Sequence, residues 1–406
     1  MTLGLYVHVP FCETKCPYCD FNTYAAIESL MPGYVGAVAN ELTQWGAWLD
    51  RPTLTSLFFG GGTPSYLPTR DIALLMRAIH ASYDLPTEAE ATLEANPGDC
   101  SRERLQSIRR TGINRLSIGV QSFDDNELRL LGRRHSVDQA IAAVKAARVA
   151  GFDNLSIDLM FGLPYQFAAS WAHSLEEAIA LDPEHISAYA LTLEGGTPME
   201  ADVNGGRLPE ADPDIAAEMY HMTCDTLAAA GYEQYEISNW AKPGLASTHN
   251  LTYWRNEDWL AAGPGAYGYL TRGDGALASL PEHGLRFADM KPPRGYIERA
   301  TAWRATGPLT PDTLATAAAI DTIELTTTAM ARGETMMMGL RLNVGVSDRL
   351  FRQRFGAGIA ESFPVAVSGC LEDGLLEWAG DRLRLTDFGR PLGNEAFGRF
   401  IAEALD

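Results

Sequence analysis

The chain has 406 residues, 46% hydrophobic and 21% charged, the balance of an ordinary globular protein, and at ~150 residues per domain its length predicts two or three domains. Its 32 Lys and Arg stand against 52 Asp and Glu, a formal net charge of −20 that argues against direct binding to nucleic acid or anionic lipid. No apolar run approaches the ~20 residues that span a bilayer, and no basic stretch followed by an apolar core opens the chain, so a cytoplasmic protein is expected.

From the N-terminus, Leu3, Leu5, Val7 and Val9 alternate with Gly4, Tyr6 and His8, the period of a strand. The loop after it carries Cys12, Cys16 and Cys19, three of the chain's six cysteines, spaced Cys-x3-Cys-x2-Cys. Three thiolates at that spacing suit three irons of a [4Fe-4S] cluster and leave the fourth iron open to a substrate. A structural zinc site usually takes four ligands, often as two pairs, and no second pair is visible. Cys100, Cys224 and Cys370 are scattered and read as small buried hydrophobes rather than as a disulfide framework.

A helix is expected over 32–49, then a strand over 54–59 running into Gly60-Gly61-Gly62-Thr63-Pro64. Glycines there let backbone amides approach a ligand, and a plain tight turn reads equally well. Further strands are expected over 91–96, 115–121, 154–160 and, with a less regular pattern, 185–193. Helices fall between them, one opened by Asp124 and Glu127 and one by the capping box Ser136–Gln139.

Six strands alternating with helices imply a parallel sheet of βα units, an α/β fold. The aliphatic face of these strands alternates with one carrying Tyr6, His8, Glu94, Asn96, Gln121, Ser156 and Asp158. An open doubly wound sheet would bury both faces, and an ordinary barrel fills its interior with aliphatic side chains. A curved sheet with helices outside and a polar interior fits better, and ligand binding is favoured for that interior.

After residue 230 the rhythm stops. Gly231 to Trp240 reads as an edge strand and 241–298 as irregular packing over the barrel. From about Leu309 a second, smaller unit is expected, with a helix near 332–340 that packs Met336, Met337 and Met338, then a hairpin and a helix. This tail resembles a winged-helix module, but it is not basic, so a structural role is expected rather than nucleic-acid binding.

The cysteine loop, with Tyr18 before its third cysteine, resembles that of the radical S-adenosylmethionine (SAM) enzymes. The resemblance implies that the open iron chelates the amino and carboxylate groups of SAM. It implies too that a reduced cluster passes one electron to the sulfonium, giving a 5′-deoxyadenosyl radical. The fold implied is a partial (β/α)6 TIM-like barrel followed by a smaller C-terminal α+β, winged-helix-like domain. On the matching motifs, Gly61, Gly62, Thr63, Glu94, Gln121, Arg133 and Asp158 would contact SAM, with Tyr6 beside them and Tyr18 near the adenine.

Within that superfamily the chain is similar over almost its whole length to the group built on oxygen-independent coproporphyrinogen III oxidase, HemN. Tyr6-x-His8-x-Pro10-Phe11-Cys12, Glu94-x-Asn96-Pro97, Gly119-Val120-Gln121-Ser122-Phe123 and Asp158 to Pro164 carry the likeness. The oxidase has a further cysteine where this chain has Phe21, and a longer arm before its cluster. Both departures, with His249-Asn250-Leu251-Thr252-Tyr253-Trp254 and Gly263-Pro264-Gly265-Ala266, resemble the HemW-type heme chaperones. The implied function is to bind heme as cargo and pass it to heme-accepting respiratory membrane proteins, without coproporphyrinogen oxidase activity. His249 would ligate the iron, and Tyr253 and Trp254 would wall the porphyrin. The expected division is 1–230, the barrel with cluster and SAM; 231–308, a connecting segment packed on it; and 309–406, the C-terminal domain. A radical SAM enzyme of the HemN group, oxidase or methyltransferase, is the alternative. Membrane association is expected only transiently and through a partner, and a homodimer is left open.

Overall fold

A computed structural model describes residues 1–281, 283–317 and 319–405; of the expected segments, 231–308 includes residue 282 and 309–406 includes residues 318 and 406, which lie outside the described residues. Alternation in the first half produces six strands: β1 (Thr2–Val9), β2 (Thr53–Gly61), β3 (Glu90–Ala95), β4 (Arg115–Gln121), β5 (Asn154–Phe161) and β6 (His185–Ala190). They pair in chain order and every pair is parallel. Helices Met31–Trp48, Thr69–Ser82, Arg102–Arg109, Val137–Val149 and Ala168–Ala180 make the return connections. The aliphatic strand residues Leu5, Val7, Leu57, Leu93, Ile118 and Ile157 are fully buried in one core with Val38, Leu75, Leu105, Val144 and Trp171 from those helices. The polar faces of the strands are thereby left to the barrel interior, as the alternation predicts. Asp124 caps its helix through the amides of Asn126 and Glu127, and the Ser136–Gln139 capping box forms.

The sheet does not end at six strands. Beyond β6 lie β7 (Glu233–Glu236) and β8 (Asn239–Ala241), a hairpin where one edge strand was expected, with β8 antiparallel to β6. On the other edge, β9 (Trp259–Ala262) runs parallel to β1, followed by β10 (Tyr267–Leu270), β11 (Leu285–Asp289) and β12 (Ile320–Leu325). The result is a twelve-stranded sheet in the order β12-β11-β10-β9-β1-β2-β3-β4-β5-β6-β8-β7. The expectation of irregular packing over 241–298 is thus corrected. All four residues of β9 are buried, so it shows no alternation from which to read a strand. A tryptophan joint fixes this extension to the barrel: Trp45 stacks on Phe287 at 4.9 Å and meets the edge of Trp303 at 5.6 Å.

The C-terminal part has its own core. Helices Thr328–Gly339, Asp348–Phe355, Pro364–Glu372 and Gly393–Leu405 surround a sheet of β13 (Val346–Ser347), β14 (Leu376–Ala379) and β15 (Arg382–Leu385), ordered β13-β15-β14. Met336 is fully buried there and Met337 packs at its margin, the packing role expected of them. Among the described residues, no helix is long and apolar enough to cross a membrane.

Candidate functional site

The C-terminal ends of the six parallel strands open onto a cavity of about 680 Å³. The cysteine loop forms its roof. Cys12, Cys16 and Cys19 are all unpaired and half-buried, and each lines the cavity. Thr63 Oγ1 lies 3.5 Å from Cys12 Sγ, Arg133 Nη1 3.5 Å from Cys16 Sγ, and Thr23 Oγ1 3.9 Å from Cys19 Sγ. Burial pushes the Cys12 and Cys19 thiols upward, so deprotonated sulfur there calls for a cation against it. Arg134 anchors the loop from below, pairing with Glu13 and, at 2.6 Å, with Asp99.

The glycine segment lies directly against this roof. Gly62 N–H donates to Val9 O at 2.7 Å and Thr63 N–H to Phe11 O at 2.8 Å. A Cβ on Gly62 would fall 2.8 Å from both Val9 O and Phe11 O and 3.1 Å from Cys12 Sγ. Gly61 has φ +106°, and a Cβ there would sit 2.4 Å from the His8 ring. The segment is therefore more than a turn: its bare backbone is what lets the thiol loop close over the barrel.

Among the described residues no three His, Cys, Asp or Glu side chains are arranged to hold a single metal ion. A cubane binds its thiolates at separate corners, so they need not converge on one point. Three free thiols around one cavity, a cradle a Cβ would fill, and Arg133 beside Cys16 fit such a cluster. Arg133 also donates to Gly119 O at 2.8 Å, while its buried Nε has no hydrogen-bond partner among the described residues. The residue follows the helix Asp125–Leu130 in the loop before Val137, not within a helix.

All the residues expected at SAM line this cavity: Tyr6, Tyr18, Gly61, Gly62, Thr63, Glu94, Gln121, Arg133 and Asp158. Glu94 Oε2 accepts from Gly61 N–H at 3.1 Å; burial, and then the Asp158 charge, raise its carboxyl to about 8. Asp158 accepts from Ser117 at 2.9 Å, Ser187 at 2.8 Å and Ser156 at 3.2 Å, yet burial still raises its carboxyl above its ordinary value. Gln121 has φ +72° at a bulge where β4 slips against β5, an unfavourable backbone for a side chain that it keeps at the cavity wall. Two neighbouring carboxyls and an orphaned guanidinium nitrogen leave a site short of a ligand with both a cationic and an anionic group.

Sequence reasoning missed the floor of the cavity. Arg115 is buried, its Nε lacks a hydrogen-bond partner among the described residues, and the nearest carboxylate, Glu90, is 4.0 Å away. Its parity with Ser117 and Gln121 on β4 was the signal for it. Ser187 and Tyr189 of β6 also line the cavity.

His249 and Tyr253 reach this inner cavity, whereas Trp254 does not line it. His249 is buried, with Nδ1 2.8 Å from Ser56 Oγ and Nε2 2.9 Å from the Tyr253 hydroxyl. Its ring stacks on Phe58 at 5.1 Å, and burial lowers it to about 3, so it is a neutral imidazole. Trp254 lies under the Arg341 guanidinium at 4.4 Å. Trp254 thus lies outside the cavity that His249 and Tyr253 line, and both nitrogens of His249 have hydrogen-bond partners.

Comparison with known proteins agrees with this layout. Residues 6–178 match the radical SAM superfamily and residues 331–392 the HemN C-terminal domain. The heme chaperone HemW of Bacillus subtilis (strain 168) is 37% identical, over 98% of this chain and 99% of the relative. That of Escherichia coli (strain K12) is 40% identical, over 73% of this chain and 76% of the relative. The solved structure of coproporphyrinogen III oxidase (HemN) from Escherichia coli, a radical SAM enzyme, aligns with a TM-score of 0.79 at 22% identity. It covers 98% of this chain and 89% of its own, a likeness of fold.

Proposed function

Since the chain belongs to the HemW heme-chaperone family within the radical SAM proteins, we propose that it binds heme and delivers it to heme-containing respiratory membrane proteins. We further propose that Cys12, Cys16 and Cys19 hold a [4Fe-4S] cluster and that SAM fills the inner cavity. The observation that carries this reading is one cavity gathering three free thiols, the bare glycine segment and both charged partners a zwitterionic sulfonium needs. When bound, the cluster supplies an open iron and one-electron reduction. The chain's own residues do the rest. Arg133 meets the methionine carboxylate. Glu94 and Asp158 accept from the ribose hydroxyls, and Tyr18, beside Cys19, flanks the adenine. We propose 1–230 as the barrel and 231–308 as its packed extension, and of 309–406 the part that stands as its own domain starts at Thr328, since β12 (Ile320–Leu325) still belongs to the barrel sheet.

The test is a hemin titration on the anaerobically reconstituted protein, followed by Soret absorbance, beside an assay of coproporphyrinogen turnover. Stoichiometric heme uptake without turnover supports a chaperone. Turnover without heme uptake would replace it with the enzyme reading. For the SAM assignment, Arg133→Ala should weaken SAM binding about 10- to 100-fold, the worth of hydrogen bonds to a charged group, measured by equilibrium dialysis at equal iron content. Unchanged affinity would remove Arg133 from the site.

A further inference from the structure

We propose that the heme cargo seats not at His249 but in a second, outer cavity beside the cysteine loop, with its carboxylates held by Lys15 and Lys291. This rests on the heme-binding reading above. The outer cavity has a volume of about 590 Å³, enough for a porphyrin; it adjoins the inner one at Tyr6, Gly61, Glu94 and Tyr253, and Lys15, Asp20, Phe21 and Thr23 of the cysteine loop stand between the two and line both. If SAM and cluster occupy the inner space, heme needs this adjoining one.

Its walls come from the cysteine loop after β1 and from the neighbouring β9–β11 extension. Phe21, on the cysteine loop, is 63% exposed, and Tyr267, at the start of β10, is 50% exposed. With Tyr24 and Trp259 they line the outer cavity, and each offers a ring to a flat apolar ligand. Exposure of two large aromatics at one cavity is costly unless something covers them.

The charge is as telling. The chain holds only four lysines, Lys15, Lys145, Lys242 and Lys291, against a net charge of −20. Two of the four line this cavity, with Asp20 the acid among them and Glu94 at its inner end. Lys15 Nζ is held in place by Phe21 O at 3.1 Å and Thr23 O at 3.3 Å. Lys291 is fixed through its backbone, where Asn22 Nδ2 donates to Lys291 O at 2.9 Å and to Pro264 O at 2.7 Å. Asn22 thus ties the cysteine loop to the opposite wall. A flat apolar molecule with two carboxylates on one edge matches aromatic walls with paired lysines.

The experiment compares hemin titrations of the reconstituted wild type, Phe21→Ser and Lys291→Glu, with iron and sulfide content as the check that the cluster loop is intact. Phe21→Ser should weaken heme binding by about tenfold or more, the loss of a large apolar contact. Lys291→Glu should weaken it by about fivefold or more, an exposed charge pair turned to repulsion. Wild-type affinity in both variants overturns the outer seat and leaves the chaperone reading standing. No heme binding by the wild type overturns the chaperone reading itself.

Discussion

Replacing Gly62 with Ala is expected to leave the protein folded but nearly free of iron. The methyl group has nowhere to go. It would lie 2.8 Å from two backbone oxygens, Val9 O and Phe11 O, which cannot rotate away as a side chain could, and 3.1 Å from Cys12 Sγ. Relief requires the cysteine loop to lift from the barrel mouth, breaking the Gly62–Val9 and Thr63–Phe11 hydrogen bonds that hold it down. Such overpacking costs about 1–3 kcal/mol, less than the whole stability of a domain but enough to shift the loop's closing equilibrium about 5- to 150-fold towards open. The large core behind the sheet does not touch this methyl and stays intact. Iron and sulfide per chain after anaerobic reconstitution, beside a thermal melt, give the answer. Wild-type cluster content in the variant would mean that the thiol loop does not need this contact to receive its irons.

How far the site was legible in the sequence follows from what each residue depends on. Tyr6, Glu94, Gln121 and Asp158 were readable because alternation along a strand is local, and a parallel sheet converts it directly into an inside and an outside. Arg115 obeys the same parity on β4 but was passed over because it begins the strand. Ser187 and Tyr189 were blurred because the expected strand ran to 193, while β6 stops at Ala190 and the residues beyond lose the period. Only one partner of His249 was beyond local reading: Tyr253 lies one turn on along the helix Thr248–Trp254, but Ser56 stands 193 residues earlier, and nothing near the histidine reveals that its second nitrogen is taken. The same holds for β9, whose pairing with β1 joins positions more than 250 residues apart. Strong local periodicity marked the barrel; the extension is set by edge pairing between distant segments, which composition does not encode.

Glu94 should make the ligand-free protein lose stability as pH rises, and Glu94→Gln should remove that loss. Burial, and then the negative charge of Asp158, lift this carboxyl from its ordinary value of 4.5 to about 8. Below pH 4.5 the group is neutral both folded and unfolded and costs nothing. Between about 4.5 and 8 the unfolded chain gives up a proton that the folded one retains. The folded state then binds more protons, so stability falls with rising pH until the folded carboxyl also ionises near 8. The full swing is on the order of 5 kcal/mol. Glu41, raised to about 7, and Asp289 act in the same direction, but they are common to both proteins and cancel in the comparison. Glutamine keeps an oxygen to accept from Gly61 N–H and carries no charge to bury. Denaturant unfolding of the apoprotein at pH 5 and pH 8.5 should therefore show the variant close to wild type at the lower pH and clearly more stable at the higher. Parallel behaviour of the two proteins would mean that water or a counter-ion already serves Glu94 in the ligand-free barrel.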